Sequence, residues 1–135
     1  MIGYVMHTDG GARGNPGPAA IGVVIEYPQN NIHEISKYIG IATNNIAEYE
    51  AVLAGLEWIS EQKIEISEVH IYLDSQLVAR QLSGIYRIKN TDLVRIYTRI
   101  KEMENKIKTS VMYHEIPRDQ NKRADFLVNK ALDSR

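Results

Sequence analysis

The sequence contains no cysteine, so disulfides and thiolate metal sites are excluded, and any metal must be held by oxygen or histidine. No apolar run approaches the roughly 20 residues that a membrane-spanning helix needs. The N-terminus, Met1-Ile2-Gly3-Tyr4-Val5, lacks the charged and apolar regions of a signal peptide and starts like a strand. These absences point to a cytoplasmic monomer with no membrane partner. A surplus of charge is also missing: 16 basic residues stand against 17 acidic ones, and the pI is about 6.4. Global charge therefore gives no reason to expect a polyanionic ligand. What is present is ordinary globular composition, 44% apolar and 24% charged, over 135 residues. That length suits one domain, 1–135, with a full core, and no internal repeat or linker interrupts it.

Periodicity divides the chain into elements. Tyr4 to Asp9 alternates as a strand, which Gly10-Gly11 is expected to end in a turn. The stretch from Ala12 to Pro18 is rich enough in Gly and Pro to predict irregular structure. Ala20–Tyr27 and Ile32–Ile41 read as two strands joined by a turn at Pro28-Gln29-Asn30-Asn31. Thr43-Asn44-Asn45 offers capping chemistry for a helix reaching about Gln62, in which Val52, Leu53, Leu56 and Ile59 recur at helical spacing. Trp58 falls among those apolar positions and is expected in the core. Val69–Leu73 is a short apolar strand. Helices follow at Ser75–Leu82 and from Thr91, as cap, to about Lys106. Ser110–Ile116 is a last strand, and a final helix opens near Asn121 and runs to Leu132. The expectation is an α/β fold with a five-stranded mixed sheet in the order 3-2-1-4-5. Strands 1–3 would be antiparallel, and helices would flank the sheet.

Four acidic residues sit at element ends within short local patterns. They are Asp9 in Thr8-Asp9-Gly10-Gly11, Glu48 after Thr43-Asn44-Asn45, Asp74 in Asp74-Ser75-Gln76, and Asp125 after Asn121. Each alone has a plain explanation; Glu48, placed in the first turn of its helix, would simply answer the helix dipole. Strand order 3-2-1-4-5 sets Asp9 and Asp74 side by side at the carboxyl ends of parallel strands, where α/β sheets gather ligands. Four carboxylates at one edge would need divalent cations, and oxygen donors suit Mg²⁺ or Mn²⁺. A pair of such ions is suited to in-line phosphodiester cleavage. Basic residues cluster elsewhere: Arg80, Arg87, Lys89, Arg95, Arg99 and Lys101 in one stretch, Arg118, Lys122, Arg123 and Lys130 in another. Part of each cluster is a solvated helix face, and the remainder is available to follow a phosphate backbone.

Together, Thr8 to Pro18, Thr43-Asn44-Asn45 with Glu48, Asp74-Ser75-Gln76, and Asn121 with Ala124-Asp125 resemble ribonuclease H of type 1, in order and across essentially the whole chain. The resemblance implies an endonuclease that hydrolyses the RNA strand of RNA–DNA hybrids, leaving a 5′-phosphate and a 3′-hydroxyl. It also implies a site of two Mg²⁺ ions, with Mn²⁺ as an alternative. By resemblance Asp9 bridges both ions, Glu48 helps hold one near the RNA 2′-hydroxyl, Asp74 ligates the other, and Asp125 completes the set. Asn15, Asn44 and Gln76 match residues that contact the minor groove or nearby backbone, and Thr43 matches a phosphate contact. Gly10, Gly11 and Asn45 accompany them in the expected substrate-binding set.

Two features depart from the bacterial pattern. The loop before the last aspartate carries Arg118 rather than histidine, as in archaeal-type members. Arginine cannot serve as a base at neutral pH, so a phosphate-contacting or product-releasing role is expected. A basic, Trp-bearing insertion is missing, since Gly84-Ile85-Tyr86-Arg87-Ile88-Lys89-Asn90 passes straight to the next helix. His7 and His70 read as structural, and the direction of His114 is left open by strand alternation. Two other functions remain compatible with the sequence: a nucleic-acid-binding module with little catalysis, and a nuclease that also cuts double-stranded RNA.

Overall fold

The computed structural model describes residues 3–62 and 67–135. Five strands form one sheet: β1 (Tyr4–Ala12), β2 (Gly17–Tyr27), β3 (Asn31–Ala42), β4 (Glu68–Leu73) and β5 (Ser110–Glu115). Their order is β3-β2-β1-β4-β5, with β1–β2 and β2–β3 antiparallel and β1–β4 and β4–β5 parallel, as the sequence predicts. The helices are α1 (Asn44–Ser60), α2 (Gln76–Leu82), α3 (Thr91–Ile107) and α4 (Lys122–Asp133), with a 3₁₀ turn at Arg118–Gln120. Met1 and Ile2, read above as the start of a strand, lie outside the described residues. No helix among the described residues is long and apolar enough to cross a membrane.

Strand alternation assigns the two faces. Tyr4 and Met6 of β1, Ile21, Val23 and Ile25 of β2, and Val69, Ile71 and Leu73 of β4 all point to the main core. There they meet α1, α2 and α3. Val52, Leu53, Leu56 and Ile59 of α1 are each no more than 1% exposed, as their spacing predicts. Trp58 is only partly buried at the core's margin. Its indole stacks on His33 with centroids 4.2 Å apart and 9° between planes, so that face is covered.

On the opposite face α4 seats Val128 and Leu132 against Ala20. Gly22 lies on this side of β2, and a Cβ built there would come within 2.1 Å of the Ala124 carbonyl oxygen. That close approach lets α4, and with it Asp125, lie directly on the sheet.

Four local expectations are corrected. Gly10-Gly11 do not turn the chain; β1 continues through them to Ala12, paired with β2 up to Ala12↔Ala19. The segment expected to be irregular shrinks accordingly, because β2 already begins at Gly17. The reversal is confined to the residues between, where Gly14 takes φ 97°, a region only glycine enters freely. Asn90, not Thr91, caps α3: its Oδ1 accepts hydrogen bonds from the Asp92 and Leu93 amides. Glu48 is the fifth residue of α1 rather than a first-turn residue, and that turn contains no acid. The helix-dipole explanation for Glu48 is thereby lost.

Gly22→Ala should lift α4 from the sheet and destabilise the fold by about 1–3 kcal/mol or more, as overpacking at a rigid backbone does. Urea unfolding measures it; a loss below about 0.5 kcal/mol would show that α4 is not seated as described.

Candidate active site

β1 and β4 run parallel with His7 opposite Tyr72. Two residues further along each strand brings Asp9 beside Asp74, one at the end of β4 and one within the late part of β1. From above, α1 lowers Glu48 onto the same spot. A Cβ on Gly10 would lie 2.2 Å from the Ala47 carbonyl carbon, so only glycine allows helix and strand to approach this closely. The Gly10 amide uses that proximity and donates to Glu48 Oε1 at 2.7 Å. One carboxylate oxygen from each of Asp9, Glu48 and Asp74 lies within 4.8 Å of the others.

Burial makes this trio electrostatically costly. Glu48 is 8% exposed. Desolvation, a hydrogen bond shared with Asp9 and the charge of Asp9 hold its carboxyl well above the usual carboxylate range. Asp9 is pushed up to about 6, chiefly by burial, with the charges of Asp74 and Asp125 adding to it. A divalent cation relieves that penalty by supplying the missing positive charge. The donor set, carboxylate oxygens with no thiol or imidazole among them, suits a hard cation.

Asp125 stands apart from the trio. It lies exposed in the first turn of α4, and Asn129 Nδ2 donates to its backbone carbonyl at 3.1 Å. It lines one recess together with Asp9, Gly10, Gly11, Asn44 and Arg118. Arg118, on the 3₁₀ turn, makes no ion pair with any described residue. Around the rim, Asn44 Oδ1 accepts from the Ala12 amide at 2.9 Å, and Asn15 Oδ1 accepts from the Asn44 amide at 3.0 Å. Both side-chain oxygens are thus occupied, which leaves both NH₂ groups free to donate outward. Thr43 caps α1, its hydroxyl accepting from the Ile46 amide at 3.2 Å. Asn45 and Gln76 are exposed in the first turns of α1 and α2.

The histidines stand outside the trio. His7, Tyr72 and His114 form a row of rings across β1, β4 and β5, with centroids 5.2 and 4.8 Å apart. His70 Nδ1 and His114 Nε2 are 2.8 Å apart, and His70 Nε2 reaches Glu68 Oε1 at 3.0 Å. Sequence reasoning gave Asn121 no side-chain role. It is 1% exposed and donates to Asp74 Oδ2 at 3.3 Å. The available signal was an asparagine directly preceding a helix, which reads as a cap and hid the contact.

Raised acid pKa values have a definite linkage sign. In the unfolded chain both groups ionise near pH 4; in the folded chain they keep protons to higher pH. The folded state therefore binds more protons over the window from about 4 to 6, and stability falls as pH rises through it. Without metal, the wild type should melt at a lower temperature at pH 7 than at pH 5, and Asp9→Asn should flatten that difference. Comparing the two proteins removes the contribution of His7, whose pKa burial lowers. Identical pH slopes for both proteins in EDTA would overturn the assignment.

Comparison with known proteins fits this geometry. The family model described as reverse transcriptase-like matches residues 7–131. A ribonuclease HI of Halobacterium salinarum is 40% identical over 126 residues, covering 93% of this chain and 62% of the relative. A bifunctional protein of Mycobacterium tuberculosis is 37% identical over 132 residues, and the chain spans only 35% of that relative's length. Among solved structures, a ribonuclease H1 isolated from compost superposes with a TM-score of 0.90 at 42% identity, covering 99% of this chain and 98% of that one. The same compost enzyme has been solved in complex with an RNA/DNA hybrid, matching at 43% identity over 97% of each chain, again with a TM-score of 0.90. The chain belongs to the reverse transcriptase-like family, on its type 1 ribonuclease H branch.

Proposed function

We propose that this protein is a metal-dependent endonuclease that hydrolyses the RNA strand of RNA–DNA hybrids, leaving 5′-phosphate and 3′-hydroxyl ends. The convergence of Asp9, Glu48 and Asp74 carries the reading. Three carboxylates crowded at a partly buried strand end weaken the fold unless they serve a cation, and a hybrid is what the similar compost enzyme was solved with.

Asp9, Glu48 and Asp74 would hold two Mg²⁺ ions, or Mn²⁺, with Asp125 completing the set from α4. Ions held there would lower the pKa of an attacking water and offset charge at the scissile phosphate. The chain's own residues supply the alignment. The Gly10 amide fixes one oxygen of Glu48, so the carboxylate is oriented before anything binds. Asn15 and Asn44 present amide donors that fit acceptors in a minor groove, and Gln76 lies exposed at the start of α2, directly after Asp74 and Ser75. Minor-groove contact is how a protein senses the 2′-hydroxyl. Thr43, the N-cap of α1, would meet a phosphate of the DNA strand at the helix N-terminus. Gly10 and Gly11 line the recess beside Asp9, and Asn45, exposed in the first turn of α1, would join the substrate-binding set. Arg118 carries a permanent charge and fits a phosphate rather than a transferable proton.

Ion pairing reduces the basic surface. Arg95 pairs with Asp92, Arg99 with Glu57, Lys101 with Glu104 and Arg123 with Glu34. Of the two basic stretches, Arg80, Arg87, Lys89, Arg118 and Lys122 make no ion pair among the described residues, while the charge of Lys130 adds to that of Arg123 in holding Glu34 below its usual range.

Labelled hybrid, duplex RNA and duplex DNA, each with Mg²⁺ or Mn²⁺, should give cleavage of the hybrid's RNA strand, abolished in Asp9→Asn. Binding without cleavage in every condition would favour a binding module, and equal cutting of duplex RNA would widen the substrate class. Arg118→Ala should lower kcat/KM by the equivalent of about 1–3 kcal/mol, the worth of a charge-assisted contact; a complete loss would assign it a larger role.

Hybrid affinity, measured with Ca²⁺ in place of Mg²⁺, should fall with salt. Only part of these cations can face one ligand, so about three to five phosphate contacts are expected, a log–log slope of about −2.7 to −4.5. A slope near zero would argue against a hybrid as ligand.

A further inference from the structure

Asn121 occupies the N-cap of α4, where asparagine ordinarily accepts a hydrogen bond from the helix's own amides. It makes no such bond. Its side chain turns inward, and Nδ2 donates to the Thr8 carbonyl at 2.8 Å and to Asp74 Oδ2 at 3.3 Å. Its Oδ1 is buried and accepts from no described group. Both partners of Nδ2 are acceptors, so only an NH₂ group can face them. A flipped amide, or an aspartate in its place, would set oxygen against oxygen.

Three elements meet on this one amide. β1 is held through Thr8, the residue before Asp9. The end of β4 is held through Asp74, whose carboxylate receives no other hydrogen bond among the described residues. α4 begins at the next residue and carries Asp125 in its first turn. The Asn121 backbone amide also donates to the Arg118 carbonyl at 3.0 Å, closing the 3₁₀ turn that presents Arg118. A carboxylate facing two others is repelled by them; unpinned, Asp74 would swing away from Asp9 and Glu48.

We infer that Asn121 is a positioning residue for the metal-binding carboxylates: it sets the orientation of Asp74 and the placement of α4, and so of Asp125, against Asp9. The inference rests on the metal-dependent reading above. A hydrogen-bond partner one step behind a ligand governs metal affinity in the same way elsewhere. Its geometry explains why α4 forgoes a cap at a position occupied by a capping residue.

Two substitutions separate positioning from packing. Asn121→Ser leaves a residue able to cap α4 but too short to reach Asp74. It should keep most of the thermal stability, yet lower Mg²⁺ affinity about tenfold by calorimetry on the metal-free chain. It should also reduce kcat on hybrid by about 10- to 100-fold, with KM for the hybrid changed less than about threefold. Asn121→Asp keeps the volume but faces Asp74 and the Thr8 carbonyl with oxygen, so its metal-free melting temperature should fall below that of Asn121→Ser. A residue that only fills space would give the reverse order. Wild-type Mg²⁺ affinity and kcat in Asn121→Ser, or greater stability of the aspartate than of the serine variant, would overturn the inference. If Asp9→Asn also binds Mg²⁺ as the wild type does, the metal reading itself fails, and the two failures are distinguishable.

Discussion

Mutual repulsion among partly buried carboxylates is the constraint around which this fold is arranged. Asp9 and Asp74 come from adjacent parallel strands, and Glu48 is pressed onto them by α1. Removing water from such groups raises their proton affinity before any pairwise repulsion is counted. The surroundings answer with fixed donors: the Gly10 amide for Glu48 and the Asn121 amide for Asp74. Neither is a full positive charge. They orient the oxygens without neutralising them, which leaves the site disposed to take a cation.

The backbone must come unusually close for this to work. Gly10 lets α1 approach β1, and Gly22 lets α4 approach β2. The two helices press on opposite faces of the same pair of strands, so the approach on one side supports Glu48 and the approach on the other supports Asp125. Placement of ligands and packing of the sheet are here the same problem. Changes at either glycine would displace carboxylates that are distant in sequence.

The strand order and the clustering of Asp9, Glu48 and Asp74 were legible because alternation, helical spacing and turn residues each pointed to the same topology. What misled was local chemistry overridden by tertiary contact. Gly10-Gly11 look like a turn, yet β2 pairs along both and α1 needs the first of them bare. Asn90 rather than Thr91 caps α3, because asparagine's carbonyl reaches two amides at once. Glu48 reads as a helix-dipole residue, yet it lies buried beside Asp9 and Asp74. Trp58 has helical core spacing, but His33 of β3 covers its face at the core's margin.

Asn121 shows the limit most clearly. Capping preferences describe a side chain satisfying its own helix, and by that rule an asparagine before Lys122 is fully explained. The competing demand comes from Asp74, 47 residues earlier in the chain, and from a strand carbonyl further away still. The strand carbonyl is buried and Asp74 partly so, and a helix end close to the surface can be satisfied by solvent while a buried carbonyl cannot. The amide therefore goes where desolvation makes a hydrogen bond worth more. The same reasoning separates Arg118, which no carboxylate among the described residues pairs, from Arg123, held by Glu34.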